Sequence, residues 1–523
     1  MCLAMTLLGA SVNASGAFEL FGITIFESDE NAAVELIDPL PYSVDFSLKP
    51  RPSEEFQDAM QNASGLLAGQ DRPASGRAGL LASARRDYGQ ILDALYAEGR
   101  FGGSVSIRIN GSEASSLPLN ARISAPAKVQ IAVVAGPVYR FTGVGVRNNH
   151  PANDLAEVGF ANGQTARTEA IRDAGINAVD HWREAGYAKA EVADVDVVAD
   201  HGNRTVTARL SIDPGRQAQY GETNVTGNKA VNTDFLKYMA DLPKGAVYNP
   251  KQIEEARRRL LRLDTFRLVT IDTDRAIGPE GLLPVDITVN ERKPRRIGMG
   301  ATISTLDGIG LEGFWLHRNI LGSAERLRFD GSVSGIGRST DPLDYDYSIA
   351  GTFIKPGVLT PDTNYTLETK VLQEITPNYT TLELNVATGL QFRLSDRMTG
   401  EAGIFWNRSR VDDQLGRRRF TLVGLDTSLT YDSRDIPLDA RRGYFLEANL
   451  TPFYENGTKS TALRSELDAR VYSSFGQDDR YTLAGRAKIG SLTGISQTGA
   501  PQQQLFFSGG GGSFGGGGAS GSW

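Results

Sequence analysis

The sequence predicts an α+β chain built in two parts, tandem β-α-α-β-β modules followed by a transmembrane antiparallel β-barrel. Three observations predict it. A helix-then-strands unit recurs three times at a spacing of roughly eighty residues. The rhythm changes near Pro294, and beyond it about eleven segments alternate apolar and polar residues.

Residues Met1 to Ala17 read as the apolar and cleavage portions of a secretory signal, with Leu3 to Ala10 as the core and Val12-Asn13-Ala14 as a small-x-small site, though without a positively charged start. Each module then contains a long helix that ends in a glycine or small polar residue: ALYAEGRF (Ala94 to Phe101), DHWREAGYA (Asp180 to Ala188) and RLLRLDTF (Arg259 to Phe266). Paired strands follow each helix: Ser104 to Ile109 with Lys128 to Val134, Ala190 to Val198 with Thr205 to Ile212, and Arg267 to Ile271 with Pro284 to Val289. Opening strands are expected at Tyr42 to Lys49, Gly136 to Val146 and Gln217 to Asn228, with an added segment around Phe18 to Glu27. The boundaries become 18–136, 137–215 and 216–293 for the modules, 294–496 for the barrel region and 497–523 for a Gly-rich tail.

In the barrel region Leu382, Leu384, Val386, Leu390, Phe392 and Leu394 take one face, and Glu383, Asn385, Gln391 and Arg393 the other. Leu463, Leu467, Ala469 and Val471 likewise stand against Arg464, Glu466, Asp468 and Arg470. A sheet with one face in water alternates in the same way. Repetition over some eleven segments of about ten residues, divided by turn-rich or charged connections (Gly335 to Leu343, Val411 to Arg417, Glu455 to Ser460), favours a barrel with lipid outside and water within.

Composition narrows the function. The formal net charge of −7 argues against nucleic acid as a partner. No apolar run is long enough for a membrane-spanning helix. Cys2 is the one cysteine, which excludes disulfides within the chain. His150, His181, His201 and His317 are scattered without metal-site spacing, and the glycine run Gly509 to Gly518 contains no lysine and is not a phosphate loop. No catalytic constellation, cofactor or metal is expected, and the chain reads as a non-enzyme.

Candidate functional positions gather in short motifs. In YDSRDIPLDARRGYF (Tyr431 to Phe445), Asp432, Arg434 and Asp435 suggest an arginine fork with carboxylate partners; Pro437 fixes φ at a turn, Arg442 follows, and Gly443 lets the chain restart as a strand at Tyr444. Gly298 and Gly300 weaken packing along RRIGMGATIS (Arg295 to Ser304).

These residues resemble a known family. The three modules look like POTRA domains, and with a barrel behind them the chain is similar to the outer-membrane insertase and secretion superfamily that includes BamA, TamA and the two-partner secretion transporters. Tyr431 to Phe445 resembles the family's D-x-R-D, proline, R-G-Y/F hairpin; HRNILGSAERL (His317 to Leu327), with Asn319, Gly322 and Glu325, resembles its early-barrel N-x-x-G-x-x-E-x-L turn; FIKPGVL (Phe353 to Leu359) resembles its aromatic-x-x-P loop. The resemblance implies an outer-membrane protein with periplasmic POTRA domains. The count of three modules is similar to TamA. That likeness implies a factor assisting autotransporters and other β-barrel proteins to fold, with a TamB-like periplasm-spanning partner, client barrels and outer-membrane lipid as its contacts. The alternative is a two-partner-type transporter exporting a specific protein. It also implies a weak seam at the first strand, where Gly298 and Gly300 lie, whose edge pairs with a client strand.

One departure from the family accompanies this. After Arg480 to Leu492 the family's sixth loop is expected, and LFFSGGGGS (Leu505 to Ser513), with Phe507, Gly509 and Gly510, resembles its start. The motif's arginine does not follow, and about eleven of the family's sixteen strands are present. The expectation is therefore a reading interrupted after about Ser513, with a flexible tail that supplies no closing strand; the alternatives are an incomplete gene fragment or a split protein completed by another chain.

Overall fold

The computed structural model describes residues 18–20, 23–25, 38–50, 53–273, 275–304, 308–476, 479–496 and 518–522. The signal-like segment 1–17 and the loop-six residues Phe507, Gly509 and Gly510 lie outside them. The chain divides into two compact units, one holding the first two modules, the other the third module with the large sheet.

All three modules share one sheet plan: the opening strand runs parallel to the last strand, which pairs antiparallel with the middle one. In the first module, Ala127–Val134 buries Val129, Ile131 and Val133 and exposes the residues between, as a half-buried strand does. Helix Gly76–Ala97 covers that face with Leu80, Leu81, Ala84, Ile91 and Leu95 at helical spacing. Each such large apolar side chain contributes about 1.5–3 kcal/mol on full burial. The same helix buries Asp87, whose carboxylate accepts from Ser64 Oγ at 2.6 Å, Gly65 N at 3.2 Å and Leu66 N at 3.1 Å. It thereby satisfies the N-terminus of the short helix Gly65–Ala68. Asp87→Ala leaves the buried Ser64 hydroxyl and Leu66 N–H without this acceptor and is expected to destabilise the module by about 2 kcal/mol. Amide exchange at Gly65 and Leu66 measures it; unchanged protection contradicts the assignment.

The second module departs from the predicted β-α-α-β-β order. It holds one helix, Thr168–Glu184, after the opening strand Arg140–Arg147. Residues 151–165 fold through turns in place of the first helix. Asn149 and Asn153 bond each other, and Asp154 accepts from Ala156 N at 2.9 Å. Such local side-chain acceptors compete with helix formation.

The third module carries both helices, Thr233–Ala240 and Pro250–Arg262, between Gln219–Thr226 and the pair Phe266–Asp272 and Leu282–Glu291. Tyr220 is fully buried and ties the opening strand to the second helix: its hydroxyl donates to Asn249 O at 2.9 Å, and Asn249 caps that helix. Burial pushes the Tyr220 phenol up to about 12, so it stays a neutral donor.

The large sheet follows. Its strands are β1 (Arg295–Ser304), β2 (Gly308–His317), β3 (Arg326–Ile336), β4 (Asp346–Lys355), β5 (Thr363–Ile375), β6 (Tyr379–Ser395), β7 (Met398–Asp413), β8 (Gly416–Asp432), β9 (Gly443–Glu455), β10 (Ser460–Phe475), β11 (Tyr481–Thr493) and β12 (Gly518–Ser522). The first eleven pair with their sequence neighbours in an antiparallel meander. Several are longer than the expected ten or so residues: β6 and β8 each span 17. Most of Val411 to Arg417, expected as a connection, continues the β7–β8 ladder, leaving Gln414 and Leu415 as the turn. Ladder bonds are made by the backbone, so the strands extend past the point where the apolar alternation stops.

The alternation separates two faces. Leu382, Ile404, Val423, Leu425, Leu446, Leu450, Leu463, Leu467 and Val471 are exposed on one, the surface expected to meet lipid. On the opposite face Asp468 binds Arg470 at 2.9 Å and Arg486 at 2.7 Å. That face also holds an apolar cluster, Phe405, Leu422, Phe453 and Ala462, where water was expected.

The tail departs from expectation as well. Gly518–Ser522 is a strand, and it pairs antiparallel with β1 (Gly298↔Ser520, Met299↔Ala519, Gly300↔Gly518). Small residues of low strand propensity still carry a ladder, because N–H and C=O supply its bonds.

Candidate functional site

Three features converge on the first strand of the sheet and its anchorage. Along β1, Gly298 lies opposite Phe314 and Gly300 opposite Glu312 of β2. A Cβ on Gly298 would collide with the Phe314 ring, and one on Gly300 would lie 2.7 Å from Glu312 Oε1. The glycines therefore make room for neighbouring side chains, a more specific role than weakened packing. Arg296 and Arg328 stack on the same Phe314 ring, with Cζ 5.5 and 4.1 Å from its centroid. The other edge of β1 is the one that takes up β12 through backbone pairing.

The β2–β3 turn holds β1 and β2 against the third module. Asn319 Oδ1 accepts from Ala324 N at 2.9 Å and Glu325 Oε2 from Ser323 N at 2.9 Å, so two side chains of the turn motif close the turn internally. Outward bonds then seat it: Asn319 Nδ2 donates to Ala230 O at 2.9 Å, and Gly322 O accepts from Asn232 N at 2.8 Å. The receiving loop is itself set by Glu291, which accepts from Lys229 N at 2.8 Å and Val231 N at 3.0 Å. Arg318 beside the turn is 4% exposed; its Nε lies 3.3 Å from Asp264 Oδ2, and its Nη1 donates to Lys293 O at 3.1 Å.

Two further turns on the same side bind helix Pro250–Arg262. Asp362, between β4 and β5, meets Arg259 and Arg262, both at 2.8 Å, and Asp396, between β6 and β7, meets Arg258 at 3.1 Å. Within the FIKPGVL loop, Gly357 is pressed against the third module, where an added Cβ would lie 2.7 Å from Met239 Sδ and 3.1 Å from Tyr238 Cε1. The arginines of RLLRLDTF and Glu291 were not singled out from the sequence. A signal was present in the basic face of that helix, but a charged helix face is usually only solvated.

The β8–β9 hairpin is a separate structure on this side of the sheet. Arg434 forks onto Asp432 (Nε–Oδ1 2.9 Å, Nη2–Oδ2 2.7 Å) and also donates to Pro437 O at 3.0 Å. Asp435 is no partner of that fork: its Oδ1 accepts from the backbone N–H of Ile436, Arg441 and Arg442 at 2.9, 3.0 and 3.2 Å. Arg442 reaches Asp479 in the next turn at 2.5 Å, and Tyr444 N donates to Ser433 Oγ at 3.0 Å. The Arg441 N–H bond chiefly, acting against desolvation and joined by the Ile436 and Arg442 N–H groups, holds the Asp435 carboxyl below the usual carboxylate range. A lowered folded value stabilises the hairpin above the unfolded pKa of about 3.9, and that contribution is lost as pH falls through the folded value. Protection of the Arg441 and Arg442 amides is expected to drop below about pH 4, and Asp435→Asn to remove that dependence; an Asn variant with the same acid profile rules it out.

Residues 319–517 match the Omp85 superfamily domain, and residues 218–292 match the POTRA model, the surface antigen variable number repeat. Among solved structures, BamA from Haemophilus ducreyi lacking POTRA domains 1-3 is similar at 15% identity over 71% of this chain and 74% of that one, with a TM-score of 0.53, a likeness of fold. CdiB from Acinetobacter baumannii aligns at 12% identity over 68% and 69%, with a TM-score of 0.40. BamA POTRA3-5 from Haemophilus influenzae aligns at 19% identity over 49% and 96%, with a TM-score of 0.36.

Proposed function

This chain belongs to the POTRA-containing Omp85 superfamily of outer-membrane proteins, with its POTRA domains in the periplasm, and from that premise we propose that it assists the folding and insertion of autotransporters and other β-barrel clients. The observation that supports this reading most is the edge of β1, which takes up Gly518–Ser522, a strand of glycine, alanine and serine, by backbone pairing. An edge that pairs without side-chain recognition suits clients of unrelated sequence. The anchored turns at Asn319, Asp362 and Asp396 bind β2 to β7 to the third module, and β1 continues directly from that module's last strand. A client strand delivered along the module therefore arrives at a held edge. The proposed partner is a TamB-like periplasm-spanning protein, and the work is pairing and release with no chemical step.

The test is deletion of the gene, with autotransporter display measured by surface proteolysis. Loss of display, restored by the wild-type chain, supports the reading. Normal display together with loss of one secreted protein overturns it in favour of a two-partner-type transporter.

A further inference from the structure

The outward face of β7 and β8 changes character abruptly. On β7 the outward positions Met398, Ala402, Ile404 and Trp406 are apolar, and then come Arg408 and Arg410. On β8 they run from Tyr431 through Leu429, Thr427, Leu425 and Val423, with Thr427 the one polar position and its hydroxyl donating to Leu450 O at 2.8 Å, and then come Thr421, Arg419 and Arg417. Each of these stretches, free of outward charge, covers about nine residues, the length a tilted barrel strand needs to cross hydrocarbon. The arginines therefore begin at the level of the lipid headgroups.

Their side of the membrane is set by the turns. The β6–β7 turn is bound to the third module through Asp396 and Arg258, so the β7–β8 turn lies at the opposite, external end of the strands. Here Arg410 stands directly opposite Arg419, and Arg408 opposite Thr421. Arg417 has a carboxylate, Asp412 at 3.2 Å. Among the described residues Arg408, Arg410 and Arg419 have no ion pair and no side-chain hydrogen bond. Like charges facing each other across a ladder destabilise it unless an anion lies between them.

Immediately toward the membrane centre is an apolar concavity of about 530 Å³, lined by Val386, Ile404, Trp406, Val423, Leu425 and Pro452 among others. Trp406 pairs with Val423 across the ladder, next to the pair of Arg408 and Thr421. The notch exists because the β8–β9 ladder is interrupted between Gly424↔Phe453 and Thr427↔Leu450, where Pro452 offers no N–H.

We propose that Arg408, Arg410 and Arg419, with the groove beneath them, hold one phosphorylated glycolipid of the external leaflet. Its phosphates lie between the guanidinium groups and one acyl chain lies against Trp406. Guanidinium forks match phosphate oxygens, and the groove matches a hydrocarbon tail. A free phosphate satisfies the arginines but leaves the groove empty, and a neutral lipid does the reverse.

The test is native mass spectrometry of the full chain in detergent micelles, titrated with bis-phosphorylated lipid A, with phosphatidylethanolamine and with inorganic phosphate. One lipid A per chain is expected, at least tenfold tighter than phosphatidylethanolamine and not displaced by equimolar inorganic phosphate. Combined Arg408→Gln, Arg410→Gln and Arg419→Gln substitution is expected to weaken lipid A at least tenfold, and Trp406→Ala to weaken lipid A severalfold. Arg417→Gln, whose partner is internal, is expected to leave it unchanged. Undiminished lipid A binding by the triple variant, or displacement by phosphate alone, overturns the proposal. If the triple glutamine variant does not fold, the charge-keeping triple lysine variant and Trp406→Ala decide: retained lipid A in the first and weakened lipid A in the second support it, and equal binding in wild type and Trp406→Ala overturns it.

Discussion

Gly443→Val is expected to open the β8–β9 hairpin. Gly443 has φ 109°, and a Cβ there would strike the Ser433 carbonyl and lie 2.9 Å from Arg434 Cα. Backbone strain of about 1–3 kcal/mol adds to an overpacking cost of similar size. The Ser433 N–H to Tyr444 O bond of 2.8 Å and the Asp435 acceptor set depend on this same crossing, so they are lost together. The expected result is a fall in unfolding midpoint in urea and rapid tryptic cleavage after Arg441 and Arg442 in detergent-solubilised protein. A Val variant with wild-type cleavage rates contradicts the account.

Asp264→Ala is expected to loosen the third module from the sheet. The three modules end their long helices on left-handed residues, Gly99, Gly186 and Asp264, at φ 70°, 98° and 57°. The first two have no side chain to give; the third supplies a carboxylate to the buried Arg318. Removing the carboxylate leaves a guanidinium that is desolvated and partly unpaired, a cost of about 3–5 kcal/mol for a fully buried pair. Asp264 is 38% exposed, so about 2 kcal/mol is the expectation here. Asp264→Gly loses the same carboxylate but relieves the left-handed backbone, and it should destabilise less by about 0.5–1 kcal/mol. A double-mutant cycle with Arg318→Met, followed by urea unfolding, measures the coupling. Additive single effects sink the clamp.

Much of this architecture was legible in the order of residues. The eighty-residue recurrence yields three modules with one sheet plan, and period-two alternation yields eleven meandering strands with the predicted residues on each face. Both patterns are local, and local patterns survive reading without coordinates. The missing helix of the second module was less legible, because Asn149, Asn153 and Asp154 override a helix only through bonds whose partners depend on the folded turn. The fork at Arg434 is readable from spacing, whereas the separate task of Asp435 is not, since its three donors come from the far side of the same hairpin.

By itself the sequence determined the class of the protein: tandem α+β modules, a sheet with one apolar face, and the short motifs placed at its turns. These follow from side-chain periodicity and turn chemistry, which act over a few residues. Only the tertiary structure decided which turns are anchors, that Asp264 and Arg318 meet across 54 positions of chain, that the tail lies along β1, and that three arginines gather beside an apolar notch. Those depend on register between strands and on the approach of distant elements, set by backbone pairing and desolvation that no stretch of sequence carries alone.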